Sequence, residues 1–568
     1  MQRYNIVLGG QAGQGVNTVE NIIIRMFKLS GYHIYATKEY MSRVRGGLNT
    51  ITISVGSAPI RSYRQQIDLL IPFTAGVVDW VAQRVTDDTL LLGSDEFLAG
   101  SSPSKHIFPL EWDEEIRKEV KGQLNTLCAG MVAALFDIGH EMLVDLVTEA
   151  FTDKPQAVLD KNLKAADYGF NQGIQLKEKQ QLTFPLTPDN SVKEQNLLNG
   201  SEAVAIGALS GGCNALSFYP MSPSTAVAVF LCQQAPNFGL VVEQYEDEIA
   251  AAAACIGTWY AGGRGLVTTS GGGFALMEEL ISLAGMSETP FVLHLAQRPG
   301  PATGLPTRTA QGDLNLVLYA GHGDFPRTIY APRDIEQAVT LSARAFAVAD
   351  QFQTPAFILT DEYFVDTYYN SDAITLPDEK PLQVIESPAD YQRYRITDDG
   401  ISPRAIPGHG EGVVIANGNE HDEYGDTTEE IGLSSAMPEK RMRKQEQMIA
   451  EALEPELVGD EDYSTLVIGW GSTYNTLKDA VETLALSGVA LLHFSQIYPL
   501  PTSVAASLDK ASQLIAVEQN FTGQFADLLQ RDYCCQISER ILRYDGRALS
   551  CEAICTQLEA LVKGGRDE

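Results

Sequence analysis

Residues 239–270 read GLVVEQYEDEIAAAAACIGTWYAGGRGLVTTS. Two compact apolar runs with glycine boundaries, GLVVEQY and GLVTTS, enclose one helix-forming stretch. Short apolar runs of that kind read as strands of a parallel sheet, buried on both faces. The helix between them opens on three acids, Glu246, Asp247 and Glu248, which interact well with the positive end of the helix dipole. It continues in alanines, the strongest helix formers. Gly257, Gly262 and Gly263 suit close packing or the helix end. The dipole accounts for the three carboxylates without any chemistry. It does not account for a helix with such small side chains, which permit close approach by a neighbour or a ligand.

The same pattern extends in both directions. Downstream, FVLHLAQR and PAFILTDEYF are further apolar strands, and STLVIGWG, VALLHFSQIYPLP and SQLIAVEQN follow later with helices between. Upstream, SEAVAIGALSGG is a helix ending in glycine, with a strand near SFYP after it. The chain opens on a strand, YNIVLGG, a glycine loop, the helix VNTVENIIIRMFKLSG and a second strand, YHIYAT. QIDLLIPF and DTLLLG read as further buried strands. PLTPDNSVKEQNLLNG is a Pro/Asn/Ser linker. Between about 380 and 460 the chain is Pro-rich and then strongly charged, EHDEYGDTTEE followed by EKRMRKQEQ, which predicts a crossing linker with an exposed helix. The fold class is α/β, with three open α/β domains: 1–185, 186–380 and 463–568, the last preceded by a linker with a charged helix over 381–462.

Composition narrows the functions. The 568 residues carry a formal net charge of −32, which argues against nucleic acid or an anionic membrane as partner. No window approaches a membrane-spanning apolar length and no signal-peptide pattern opens the chain, so a cytoplasmic protein is expected. The eight cysteines are scattered, with no iron–sulfur spacing, and Cys551 and Cys555 read as helix packing. The histidines lack metal-ligand spacing, so no metal site is assigned.

Five motifs carry candidate chemistry. RPGPATGLPTRT, 298–309, is a restrained Pro/Gly loop in which Arg298 and Arg308 can clamp a carboxylate or merely staple the loop. FYPMSPST fixes the backbone around Ser222 and presents Ser222, Ser224 and Thr225 as hydroxyls or helix caps. TTSGGGFALMEE offers a glycine loop, Ser270 to Gly273, running into a helix. GGQAGQG, Gly9 to Gly15, is a packing turn or a phosphate contact. Its spacing is not that of a dinucleotide fingerprint, and no acid closes the second strand to hold a ribose, which speaks against an NAD-linked dehydrogenase. MSRVRGG adds Arg43 and Arg45, an anion or partner contact or a surface ion pair.

With GNEHDEYG, EKRMRK and VEQNFTGQ, these stretches occur in an order that resembles the α subunit of the 2-oxoacid:ferredoxin oxidoreductases, in the form with the γ domain fused in front. The resemblance covers nearly the whole chain and is nearest to the 2-oxoglutarate type. It implies that the second domain is a thiamine-diphosphate pyrimidine-binding fold and the third is transketolase C-terminal-like. It implies Glu248, nine residues before Gly257, as the catalytic partner of the aminopyrimidine, with Tyr219, Pro220, Ser270 and Gly271 also on the cofactor. It assigns Arg308 to the substrate 1-carboxylate, helped by Ser222 and Thr307. Gly10, Gly13, Gly15, Arg43 and Arg45 are candidate contacts for the anionic coenzyme A. Two departures stand out: YPMSP replaces the usual YPITP, and TRTAQ lacks the common TRTEQ glutamate.

No GDG followed by a downstream NN appears, nor any set of cluster cysteines. The resemblance therefore implies that Mg²⁺ and a [4Fe-4S] cluster belong to a separate β subunit, in an (αβ)2 assembly passing electrons to ferredoxin. Pyruvate, or a branched-chain or aryl 2-oxoacid, is the alternative substrate. A non-catalytic scaffold binding CoA or a nucleotide is the alternative of another class.

Overall fold

The computed structural model describes residues 2–11, 14–41, 47–100, 102–110, 122–377 and 381–564. The chain divides into two compact units, Met1–Leu198 with Thr367–Ala373, and Asn199–Asp366 with Ile374–Glu568.

The first unit is built on an eight-stranded mixed sheet. Its strands are β1 (Arg3–Gln11), β2 (His33–Glu39), β3 (Leu48–Gly56), β4 (Leu69–Pro72), β5 (Leu90–Gly93), β6 (His106–Pro109), β7 (Asn196–Asn199) and β14 (Tyr368–Ser371), in the order β6-β5-β4-β1-β3-β2-β14-β7. Alternation along β1 divides its side chains between two apolar layers. Ile6 and Leu8 enter the core under helix α1 (Val16–Leu29), while Val7 faces a second cluster with Leu70, Val77 and Leu91. YNIVLGG and YHIYAT are not neighbours in the sheet. The Thr/Ile alternation of β3 inserts between them and pairs antiparallel with both, so that Ile53 lies opposite Ile6 on one side and Ala36 on the other. Gly9 and Gly10, read both as the end of the strand YNIVLGG and as the start of the turn GGQAGQG, are ladder residues, Gly10 opposite Asn49.

The second unit holds two sheets. In the larger, β8 (Ala215–Phe218), β9 (Val241–Gln244), β10 (Gly265–Thr269), β11 (Phe291–Gln297), β12 (Thr328–Tyr330) and β13 (Pro355–Asp361) run parallel in the order β12-β13-β11-β10-β8-β9. β10, β11 and β13 are buried from end to end, as their unbroken apolar runs predict. In the smaller, β15 (Glu456–Gly459), β16 (Thr465–Trp470), β17 (Val489–Phe494), β19 (Gln513–Glu518) and β20 (Glu539–Leu542) are ordered β15-β17-β16-β19-β20. The run VALLHFSQIYPLP divides between the two. Its first half is β17, and β18 (Gln496–Tyr498) crosses to pair antiparallel with β12.

The charged helix of the 381–462 segment spans Ile431–Ala450, but it is not simply exposed. Lys440 and Lys444 are fully buried and both ammonium groups bond the buried carboxylate of Glu288, Lys440 at 2.7 Å. Arg441 grips Glu420 with two hydrogen bonds, at 2.9 and 2.6 Å. A charge run read as solvated is thus an anchoring face, because a carboxylate from distant sequence meets it.

Candidate active site

The candidate residues of the second unit gather at one edge of the seven-stranded sheet. Tyr219 and Pro220 directly follow β8, Glu248 follows β9, Ser270 and Gly271 follow β10, and Arg298 follows β11. All four strands are parallel, so these residues lie past the carboxyl ends of neighbouring strands. β8 continues through helix α2 (Thr225–Phe238) to β9 on one side. β10 continues through α4 (Gly271–Leu276) and α5 (Glu278–Met286) to β11 on the other. The chain parts between β8 and β10, and open α/β sheets bind ligands at that kind of switch point.

The three acids that open helix α3 (Glu248–Tyr260) have separate fates. Glu246 is exposed. Asp247 is extended, and its side chain accepts the Ala250 N–H at 2.8 Å, a helix cap. Glu248 is 4% exposed, and its Oε1 is buried with no hydrogen-bond partner. An unsatisfied buried carboxylate oxygen is costly and calls for a donor. Gly273 makes room for it: a Cβ there would stand 2.8 Å from Glu248 Oε1 and 2.2 Å from Thr269 Oγ1.

Ser270 is fully buried, and its Oγ likewise has no partner. It precedes α4, whose first three residues are glycine. Gly271 abuts Asp313, since a Cβ there would lie 2.5 Å from both carboxylate oxygens. Burial pushes the Asp313 carboxyl up to about 6, against the opposing pull of Arg298. Burial in turn lowers the proton affinity of the Arg298 guanidinium, with Asp313 opposing.

The two arginines of the loop are occupied differently. Arg298 is 9% exposed and donates from Nη1 to the Ser222 carbonyl at 2.6 Å, so it braces the FYPMSPST turn. The Ser222 residue is exposed, whereas Ser224 is buried and its hydroxyl donates to the Met221 carbonyl at 2.8 Å. Thr307 and Arg308 are half-buried, and the Arg308 N–H donates to the Leu305 carbonyl at 3.1 Å.

The loop around Arg308 is held from both sheets of this unit. The Thr309 N–H donates to the Gly546 carbonyl at 3.2 Å, and the Thr309 hydroxyl to Asp361 Oδ1 at 3.1 Å. Gly546, at φ 78°, lies against the Arg308 side chain. Gln311, next to the alanine of TRTAQ, donates from Nε2 to the Trp470 carbonyl at 3.0 Å and accepts the Gln519 N–H at 3.1 Å. Asp313, Gln311 and Gly546 were not singled out from the sequence. The one local signal was the DG turn at Asp545–Gly546.

In the first unit, Gly15 precedes α1 in the left-handed region (φ 68°), and its carbonyl accepts from Asn125 Nδ2 at 3.2 Å. Gly10 lies within β1. Gly13, Arg43 and Arg45 lie outside the described residues.

Known proteins resemble this chain over nearly its whole length. Residues 206–437 match the family model described as pyruvate flavodoxin/ferredoxin oxidoreductase, thiamine diphosphate binding. Residues 5–172 match pyruvate ferredoxin/flavodoxin oxidoreductase. The chain is 30% identical to a Saccharolobus solfataricus 2-oxoacid:ferredoxin oxidoreductase subunit alpha, over 99% of this chain and 98% of that protein. It is 30% identical to the 2-oxoglutarate synthase subunit KorA of Archaeoglobus fulgidus, over 61% of this chain and 93% of that protein. Among solved structures, a 2-oxoglutarate:ferredoxin oxidoreductase from Magnetococcus marinus, with 2-oxoglutarate, coenzyme A and succinyl-CoA bound, superposes with a TM-score of 0.89. The identity is 26%, covering 98% of this chain and 99% of that one.

The chain belongs to the α subunits of the 2-oxoacid:ferredoxin oxidoreductases. It is an oxidoreductase subunit with a thiamine-diphosphate-binding domain, and as an α subunit it works with a partner subunit. Among the described residues, no helix is long and apolar enough to cross a membrane.

Proposed function

We propose that the chain supplies one half of the active site of a CoA-dependent 2-oxoglutarate:ferredoxin oxidoreductase, which converts 2-oxoglutarate to succinyl-CoA and CO₂. The observation that carries this reading is the buried, unpartnered Oε1 of Glu248 beside the glycine turn of α4. The similarity to KorA, and to the Magnetococcus enzyme solved with 2-oxoglutarate bound, supports the choice of substrate.

The residues present fit thiamine diphosphate. Glu248 and Ser270 each hold a buried oxygen without a partner, and in the bare turn Gly271–Gly273 the Cβ position of Gly272 is open. Bound thiamine diphosphate supplies the nucleophilic carbon for the 2-oxo group and the electron sink that lets CO₂ leave. Glu248 holds the proton shared with the pyrimidine N1′. Ser270 and Gly271, after β10, and Tyr219 and Pro220, after β8, would hold the ring. Arg308 takes the 1-carboxylate, assisted by the Ser222 hydroxyl and Thr307, and so orients the bond to be broken. Arg298 acts through Ser222, holding that turn by its carbonyl. Gly10, Gly13, Gly15, Arg43 and Arg45 of the first unit contact CoA.

A β subunit brings Mg²⁺ and a [4Fe-4S] cluster, ferredoxin accepts the electrons, and the (αβ)2 complex is cytoplasmic. The test is reconstitution with the β chain and a panel of 2-oxoacids, following CoA-dependent reduction of ferredoxin and of NAD. 2-Oxoglutarate is expected to give the highest kcat/KM with ferredoxin as acceptor. Turnover by the single chain, or preference for NAD, overturns the reading. Preference for pyruvate or a branched-chain or aryl oxoacid overturns the substrate alone.

A further inference from the structure

Glu248 has a counterpart across the glycine turn. Asp313 stands immediately before helix α6 (Leu314–Leu318), where an aspartate ordinarily accepts helix N–H groups, yet its side chain makes no capping bond. Its backbone N–H is instead held by Gln297 Oε1 at 3.0 Å, and its Oδ2 is buried with no hydrogen-bond partner. The carboxylate rests against the Cα of Gly271, as that of Glu248 rests against Gly273. Two glycines of one turn each give way to a carboxylate with a buried, unused oxygen; Glu248 is buried and Asp313 half-buried. A cap that declines its local bond is aimed at something else.

We propose that Asp313 is a second ligand-contacting acid of this pocket, accepting an N–H from the same nitrogen-bearing ring that Glu248 faces. This rests on the thiamine reading above. The charged neighbours are few. Arg298, from the end of β11, spends Nη1 on the Ser222 carbonyl. Glu248 stands beyond Gly273. α6 itself carries no charged residue. On helix α7 (Gln524–Tyr533), which packs against α6, Asp527 pairs with Arg540, and Arg531 bonds Asp532 and the Tyr319 hydroxyl. With burial the largest influence, the Asp313 carboxyl titrates near pH 6, within reach of experiment.

The ionised form accepts the N–H, so ligand binding weakens as pH falls through that value. The test is thiamine diphosphate affinity of the assembled complex, by quenching of intrinsic fluorescence between about pH 5 and pH 8, beside steady-state turnover. Wild-type affinity should fall toward the acid end. D313N should assemble and melt like wild type, bind the cofactor about tenfold more weakly at neutral pH, and lose the dependence near pH 6. D313S gives the same comparison where D313N fails to assemble. Affinity within about twofold of wild type, with the pH dependence retained, overturns the proposal. E248Q separates the two readings. If E248Q weakens turnover and D313N changes nothing, only the role of Asp313 falls. If neither variant matters, the thiamine reading falls with it.

Discussion

Gly273→Ala tests whether the buried glutamate acts through its position. The added methyl would lie 2.2 Å from Thr269 Oγ1 and 2.8 Å from both Glu248 Cγ and Oε1, closer than real Cβ atoms come to their neighbours. Thr269 is fully buried at the end of β10, and Glu248 opens a packed helix, so neither yields freely. The site must open by roughly 1 Å, at a cost of about 1–3 kcal/mol for overpacking. A displacement of that size at a proton-holding group is worth about 10²-fold in kcat/KM.

Gly272 supplies the matched reference for stability. It occupies the same helical turn, and a Cβ there meets nothing within 4 Å. Gly272→Ala should stabilise the protein by about 0.5–1 kcal/mol through lost unfolded-state entropy. Denaturant unfolding of the two variants measures the stability difference, and turnover of the reconstituted complex measures the positional effect. If G273A is as stable as G272A, or keeps kcat/KM within about threefold of wild type, the close fit of Glu248 against the turn is not what the site depends on.

Arg308→Ala should lower kcat/KM for the 2-oxoacid by about 10²-fold, from loss of a charge-assisted pair worth about 3 kcal/mol; unchanged kinetics would remove Arg308 from the substrate. Glu288→Gln leaves the two buried ammonium groups of Lys440 and Lys444 facing a neutral amide, and should cost about 3–5 kcal/mol in denaturant unfolding. Replacing all three by methionine should recover most of that loss, and a cost below about 1 kcal/mol for the single variant refutes the anchoring role. Burial pushes the Glu288 carboxyl up, but Lys440, Lys444 and Arg393 outweigh it and hold it well below its ordinary value of 4.5. Its contribution is therefore complete above that value and is lost as pH falls toward the folded one. Melting profiles should show an acid limb that E288Q flattens.

Much of this protein is legible along the chain because the signals are local. Compact apolar runs mark β10, β11 and β13, since a strand buried on both faces needs no partner to announce itself, whereas GLVVEQY, which reads the same way, forms the largely exposed edge strand β9. Acids, then alanines, then glycines mark α3, and the spacing from Glu248 to Gly257 distinguishes one carboxylate from three. What only the tertiary structure decided are meetings across long sequence separations. β3 slips between β1 and β2 because pairing is settled by cross-strand partners, not by order in the chain. Lys440 and Lys444 read as surface charges until Glu288 is placed beneath them. Arg298 braces Ser222, Gly546 supports Arg308, and Asp313 comes to rest on Gly271. The sequence determined which chemical groups sit at the strand ends. Burial, which no single segment controls, decided which carboxylate oxygens were left without hydrogen-bond partners.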